Sequence, residues 1–505
     1  MSRLILDGWQ VVIGIETHVQ LKTRQKLFSR ANTSLLSHSP NSRHNAFDAA
    51  FPGTLPKLNP KCLDLAVRAA LALNCKVQNR SSFDRKHYFY SDQPVGYQIT
   101  QHYAPFALNG FLKPPKLDLP VRIKQLQLEQ DTGKSIYNAR SRISSIDLNR
   151  AGTGLLEIVT EPDLSSPEEA AEYVRSLQST LRAMGVSDGN MEAGDLRCDV
   201  NVSMNRPGEA RGTRCEIKNL NSVRFMVAAI HHEIERQKGI LSSNSSVLQE
   251  TRGFDENRFE TYTIRSKEDA PDYRYMPDPN LGVLIVNDTT IERIRKSLPE
   301  SPEAMRTRLL TTYGPHGVNN ASIDVLMGLD ASRDVPFDGE VSSQQESAVP
   351  YFEALAQGRD PREVVNWITQ ILLGQLSSLN QTFSPKHLSV PQMGELIDLV
   401  ISGKMTRSSG KLLLRHVLTN PSPSVLMKEM ATHLDLIVSE AEEDTDQYTE
   451  ICSRAIAALP SEVAAIQAGN VNVMNKLIGR VMRDTKGKVD VQKVRKTMES
   501  LIKIS

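Results

Sequence analysis

Strict two-residue alternation in several separated stretches constrains this chain more than any other feature. In Val11–Leu21 the residues Ile13, Ile15, Val19 and Leu21 fall on one side of an extended strand, and Glu16, His18 and Gln20 on the other, because successive strand side chains point to opposite faces. Glu16 and His18 are then neighbours about 7 Å apart along one strand. Leu126–Asp131 repeats the pattern with Gln127, Glu129 and Asp131 on the polar side, and Leu196–Ser203 with Arg197, Asp199 and Asn201. Leu156-Glu157-Ile158 and Cys215-Glu216-Ile217-Lys218 add further carboxylates and a cation. If these strands share a sheet, one face is apolar and packed and the other is lined with acids. A plain half-solvated sheet also alternates, but Lys and Thr would suit a wet face, whereas clustered Glu and Asp repel unless a cation sits among them. Oxygen ligands with one imidazole suit Mg²⁺ or Mn²⁺ better than Zn²⁺, and a carboxylate-held Mg²⁺ commonly accompanies ATP phosphates. The face therefore predicts phosphoryl transfer.

The alternation runs to about residue 290, interrupted by two helices. Ser166-Pro167-Glu168-Glu169 offers an N-cap, a Pro in the first turn and a capping-box Glu, and Tyr173, Val174, Leu177, Leu181 and Met184 follow at helical spacing up to Gly185. The second helix is expected from about Ser222 to Lys238, ending at Gly239. Beyond 290 the pattern turns helical, with polar linkers expected at 331–350 and 377–391. The fold class is therefore α+β: an antiparallel-sheet domain over 1–290, a helical domain over 291–405 and a helical tail over 406–505. For 505 residues, several domains are the ordinary expectation.

A net charge of +1 excludes a uniformly basic nucleic-acid coat, and no apolar run approaches the length of a membrane span. The five cysteines are scattered without a C-x-x-C, as in a reducing compartment. The opening MSRLILDGWQVVIGI has neither a signal peptide's apolar core nor a long Arg/Ser-rich amphipathic stretch. Gly133-Lys134-Ser135 resembles the end of a phosphate loop, but Leu128 stands where that loop needs Gly, and Gly152-Thr153-Gly154 lacks the third Gly of a dinucleotide fingerprint. Metal and cations would then hold a nucleotide, with Lys86 and Arg150 as the candidates from Phe83–Tyr88 and Asp147–Arg150. No G-x-S-x-G or marked Cys/His pair supports amide hydrolysis, so any ammonia would come from a partner.

IGIETHVQL (13–21), PGTLPKLN (52–59), SSFDRKHYFYSDQPVGYQITQ (81–101), LEQDTGKS (128–135), DLNRAGTGLLEIVTEPD (147–163), GVSDGNMEAGDLRCDVNVS (185–203), RCEIKNLNSVRF (214–225), QETRGFD (249–255) and RSKEDAPDYRYMPDPNL (265–281) closely resemble the GatB family of glutamyl-tRNA(Gln) amidotransferases. VVNWI (364–368) and GNVNVMNKLIGRVMRDTKGK (469–488) extend the resemblance to the helical and tail domains. It implies a glutamine-synthetase-like cradle that uses ATP and Mg²⁺ to phosphorylate the γ-carboxylate of glutamate on tRNA(Gln), after which ammonia displaces phosphate. A separate amidase subunit would release that ammonia, and a small third subunit or its substitute would tie the two together. Glu16, His18, Glu129 and Asp199 are the expected metal ligands; Lys86, Glu129 and Glu157 the expected catalytic groups; Lys86 and Arg150 the expected nucleotide contacts. The family's usual H-L-E-E-D-A-G-K reads Gln127–Lys134 here, with Gln for its His and Gln130 for one acid, the latter on the strand face away from Glu129. Paired cysteines that bacterial members carry before PGTLP are replaced by NSRHNAFDAAF, which argues against a zinc site and resembles the mitochondrial branch, hence an expected place in the mitochondrial matrix.

From Asn475 to Ser505 nine Lys/Arg face three acids. Met474, Leu477, Ile478, Val481 and Met482 form an apolar stripe with Arg480 and Arg483 off it, so the tail predicts a packed helix presenting Arg480, Arg483, Lys486 and Lys488 to tRNA phosphates. Two rival readings are a non-enzymatic tRNA-binding or assembly protein and amidation of aspartyl-tRNA(Asn).

Overall fold

In the computed structural model the described residues are 5–33, 39–266, 272–331, 334–340, 347–420, 426–438, 445–467, 473–485, 489 and 491–502. Two compact units divide the chain, one of residues 1–305 with 333–341, the other of 306–332 with 342–505. The fold is α+β as expected.

The first unit is built on a ten-stranded sheet. Its main strands are β1 (Trp9–Gln20), β2 (Lys76–Val77), β3 (Ala107–Leu112), β4 (Val121–Gln130), β5 (Gly154–Thr160), β6 (Leu196–Asn205), β7 (Cys215–Leu220), β8 (Glu250–Asp255) and β9 (Glu260–Ser266), ordered β9-β8-β7-β6-β1-β5-β4-β3-β2. A short strand, Ile5–Leu6, pairs with β1 off this path. The expected alternation holds: Ile13, Ile15, Val19, Leu126, Leu128, Leu156, Ile158, Leu196, Cys198, Val200 and Ile217 are all buried in one core. Helices α2 (Pro167–Ala183) and α3 (Val223–Ser242) pack on each other, and α3 packs on β6.

The sheet departs from the expected all-antiparallel order at one pair, because β7 and β8 run parallel. Parallel neighbours need a long crossover, and α3 is that crossover. Helix α2 starts as its cap predicts, with the Ser166 hydroxyl accepting from the Glu169 amide. Glu169 returns its carboxylate one residue further back, to the Ser165 amide and hydroxyl. Gly239 does not end α3, which continues to Ser242. A helix over Pro60–Ala72 (α1) adds to the two expected ones; Asn59 caps it and Pro60 opens it.

Of the expected linker at 331–350, residues 334–340 form a strap docked on the first unit, while Ala331 ends the helix Asn320–Ala331 and residues 348–350 open the helix Ala348–Ala356. The Asp338 amide donates to the Lys22 carbonyl at 2.8 Å. Arg24 pairs with Asp338 at 2.9 Å and Glu340 at 2.7 Å.

The second unit is helical. Trp367 is fully buried in a π-helical turn, Trp367–Leu372, between Pro361–Asn366 and Leu373–Ser378. Gly410, on the helix Arg407–Thr419, passes so close that a Cβ there would lie 2.9 Å from the Trp367 ring. The last four helices, Thr445–Ala458, Pro460–Gln467, Met474–Asp484 and Val491–Ile502, share an apolar cluster of their own. The expected stripe of Met474, Leu477, Ile478 and Val481 is buried in it, with Met482 packed against it. Among the described residues no helix is long and apolar enough to cross a membrane.

Candidate active site on the acidic sheet face

Strand register decides which side chains meet. β5 lies between β4 and β1, with Glu157 opposite His18 on one side and Gln127 on the other. Across β1, β6 sets Asp199 opposite Glu16 and Arg197 opposite His18. Strands stand about 5 Å apart, so polar residues distant in sequence form adjoining rows on one face.

Glu16, His18 and Glu157 converge, each offering one ligand atom within 4.8 Å of the others. His18 Nε2 lies 3.6 Å from Glu16 Oε1 and 3.5 Å from Glu129 Oε1. Gln127, standing where the family pattern has His, donates its side-chain amide to Glu157 Oε2. Gln130 turns away and donates to the Tyr97 carbonyl at 3.5 Å.

The cluster holds more negative charge than it comfortably accommodates. Burial first, and then the charge of Glu157, pushes the Glu16 carboxyl up to about 7. Burial and Glu129 raise the Glu157 carboxyl in turn, with His18 and the Gln127 hydrogen bond pulling the other way. Burial works against a charged His18, yet Glu129, Glu157 and Glu16 together hold its imidazolium above the usual range. Crowded carboxylates and an imidazole form a donor set that fits a hard divalent cation retaining several waters, and such a cation would relieve the repulsion.

Glu16, Glu129 and Glu157 line a cleft of about 340 Å³ that also contains Lys86, His102, Gln125, Lys218, Arg265, Tyr273 and Tyr275, and His18 meets it through its contacts with Glu16 and Glu129. Burial disfavours the Lys86 ammonium, but Glu129, Tyr275 and Glu157 more than compensate and raise its pKa. Of the residues expected at the site, Glu16, His18, Lys86, Glu129 and Glu157 come together. Asp199 is on the same face but is engaged by Lys218 Nζ at 2.6 Å and the Asn219 amide at 3.3 Å.

Arg150 is elsewhere. It donates to the carbonyls of Thr132 at 3.0 Å and Gly133 at 2.7 Å, and its Nε lies 3.6 Å from Asp131, so it clamps a turn and does not line the cleft. Gly133-Lys134-Ser135 leads into a β-strand, Lys134–Asn138, and so lacks the helix N-terminus that a phosphate loop supplies. In the tail, Arg480 and Arg483 are exposed, with Arg480 paired to Asp484 at 2.9 Å; Lys486 and Lys488 lie outside the described residues.

Sequence reasoning assigns no role to His102, Tyr273 or Tyr275. They reach the cleft through a small three-stranded sheet of Asp84–His87, Tyr97–Thr100 and Met276–Pro277. The Tyr-Arg-Tyr spacing is visible in the sequence, but the pairing of Met276 with Arg85 is not.

The model of the GatB/GatE catalytic domain matches residues 11–292, and the GatB domain model matches residues 350–502. The B-type subunit of mitochondrial glutamyl-tRNA(Gln) amidotransferase from Laccaria bicolor is 56% identical, covering 98% of this chain and 92% of its own length. The protein of that name from Danio rerio is 39% identical over 97% of this chain and 89% of its own length. The B-type subunit of the aspartyl/glutamyl-tRNA(Asn/Gln) amidotransferase from Rickettsia bellii is 40% identical, with 95% of each chain covered. Two family models in order, relatives matched almost end to end, and an acidic face assembled from the motif residues show that this chain belongs to the GatB family of tRNA-dependent amidotransferases.

Proposed function

We propose that the acidic cleft activates the γ-carboxylate of glutamate carried on tRNA(Gln) by phosphorylation from ATP, and that ammonia then displaces phosphate to give Gln-tRNA(Gln). The observation that carries this reading is the convergence of Glu16, His18 and Glu157, with Glu16 and Glu157 sharing one cleft with Glu129 and Lys86. Glu16, His18 and Glu157 would hold Mg²⁺, with Glu129 bordering them; the metal would supply positive charge against that of the phosphate groups. Lys86 keeps its proton and neutralises charge developing on the transferred group. Gln127 holds the Glu157 carboxylate in place. Asp199 acts through Lys218, whose ammonium it and Glu216 orient at the cleft wall.

Ammonia would come from a separate amidase subunit, linked through a small third subunit or its substitute, in the mitochondrial matrix, as the names of the fungal and fish relatives suggest. The proposal includes the division 1–290, 291–405 and 406–505, with the last part binding tRNA; the separate apolar cluster of the final four helices supports it. In the reconstituted complex with an ammonia donor, Glu16→Gln and His18→Ala should each abolish ATP-dependent Gln-tRNA formation while tRNA binding persists. Unchanged turnover in both would reject the metal assignment, and persistent tRNA binding with no wild-type turnover would favour a purely assembling role. Running Asp-tRNA(Asn) alongside decides the substrate, since the Rickettsia bellii relative is named for both tRNAs.

A further inference from the structure

Beside the acids, the cleft has a second wall made of rings, which metal binding and phosphoryl transfer leave without a task. Tyr275 and His102 are stacked, with centroids 3.8 Å apart and planes 11° from parallel. Tyr273 lies 6.1 Å from Tyr275 and 6.2 Å from Tyr88. His102, Tyr273 and Tyr275 line the same cleft as Glu16, Glu129 and Glu157. Packing alone does not account for this wall. The unit's own core is formed elsewhere, whereas His102 is exposed and Tyr103, edge-on to it at 4.9 Å, is 63% exposed.

The wall is held by backbone. The His87 amide donates to the Tyr273 carbonyl at 2.8 Å, Met276 pairs with Arg85, and the Tyr103 hydroxyl donates to the Tyr275 carbonyl at 3.4 Å. Lys86 joins the two walls: its Nζ lies 4.7 Å from the Tyr273 ring centroid, and it shares the cleft with the carboxylates.

We infer that this ring wall stacks the purine base of a nucleotide whose other end, a phosphate chain or an acylated ribose, lies at the acidic cluster. The inference rests on the reaction proposed above. A rigid stacked pair ending in an exposed ring extends a plane for a further flat group, and every base has a π-face to place on it. An apolar ligand would be poorly served, because Gln125, Lys218 and Arg265 line the same cleft. Lys86 supplies positive charge on the same wall, suited to the phosphate or sugar that follows a base. Two species in the proposed reaction carry such a base, ATP and the terminal adenosine of the acylated tRNA.

The test uses the complete complex with His102→Ala, Tyr275→Ala and Tyr275→Phe. KM is measured separately for ATP and Glu-tRNA(Gln). Equilibrium binding is measured for ADP with Mg²⁺, and for tRNA with and without its terminal adenosine. Loss of a stacked base costs about ten-fold or more in affinity. His102→Ala and Tyr275→Ala should therefore raise one KM by that factor, with Tyr275→Phe close to wild type. A fall in ADP affinity places the base of ATP on the wall. If the variants instead bind intact and shortened tRNA equally, the terminal adenosine belongs there. Both KM values and both affinities within two-fold of wild type in His102→Ala, which changes an exposed residue and spares the fold, overturn the inference; so does a ten-fold loss in Tyr275→Phe, which would assign the effect to the hydroxyl. A wild-type complex without ATP-dependent turnover strikes the proposed reaction instead, and ADP affinity still judges the wall.

Discussion

The sheet face of the first unit and the helical tail of the second concentrate opposite charges and hold them by different means. Glu16, Glu129 and Glu157 lie on three strands well separated in sequence, and backbone pairing fixes their spacing. Arg480 and Arg483 project from the exposed face of one helix, where the described ion pair of Arg480 is to Asp484 one turn away. Register-fixed carboxylates cannot move apart, so their repulsion persists until a proton or a metal cation relieves it. Exposed cations are hydrated, screened by salt and free to adjust. The first arrangement suits chemistry at one point; the second suits a phosphate backbone that can be gripped anywhere.

Breaking the sheet's side of this contrast should have the largest effect. Glu157→Gln should lower kcat for ATP-dependent amidation by about 10²–10³-fold, the scale of losing one preorganised electrostatic group. The same crowding predicts a pH effect on stability without metal. The folded Glu16 carboxyl titrates near 7 against an ordinary value of 4.5, so its protonated form is favoured by the fold, and stability declines as pH rises through that window. Thermal melts from pH 4.5 to 7.5 should show a smaller decline in Glu16→Gln, and Mg²⁺ should narrow the difference; parallel profiles for the two proteins would refute the crowding argument.

Asp131 is the counter-example on the same face. It is buried, but Arg197 at 2.7 Å and Arg150 at 3.6 Å outweigh that burial and lower its pKa. Its contribution is therefore present above the ordinary value of 3.8 and lost as pH falls below it. Asp131→Asn would leave Arg197 without its carboxylate and Arg150 with its Thr132 and Gly133 partners, and should cost about 3 kcal/mol in denaturant unfolding of the first unit. A cost below about 1 kcal/mol would mean that solvent already satisfies them.

The tail should yield smaller effects. Arg483→Gln should weaken tRNA binding a few-fold and reduce the slope of log affinity against log salt by about one, with ATP turnover on saturating tRNA unaltered. An unchanged slope would remove Arg483 from the interface. Smallest of all, Asp484→Asn breaks an exposed i,i+4 pair with Arg480 and should change stability by no more than about 0.5 kcal/mol.

Legibility follows the range of the interactions. The two-residue period identifies the acidic and apolar faces of β1, β4, β5, β6 and β7, because which face a side chain takes is decided within its own strand. Ser166 announces the start of α2 because an N-cap acts over three residues. Asn59-Pro60 carries the same type of signal for α1, followed by Cys62, Leu65, Ala66, Ala69 and Ala70 at helical spacing, a stripe largely of small residues and less conspicuous than that of α2. Gly239 misleads because packing of Ile234 and its neighbours carries α3 past a residue that weakens a helix only modestly. Arg150 is ambiguous for a different reason: a guanidinium near a polar turn serves equally to bind a ligand or to clamp the turn, and the contacts with the Thr132 and Gly133 carbonyls, which only tertiary structure provides, are of the second type.

By itself the amino-acid order determined that a strand would turn Glu16 and His18 to one side, that four further segments would carry polar groups in the same way, and that the tail would have an apolar stripe with cations off it. These properties depend on local geometry and on the tendency of apolar surface to leave water. Tertiary structure decided that Glu157 rather than Asp199 completes the cluster with Glu16 and His18, that Lys218 takes Asp199 for its partner, and that Tyr273 and Tyr275 line the same cleft as the acids. Those outcomes depend on strand order and register, which are settled by the packing of the whole sheet and by no single segment.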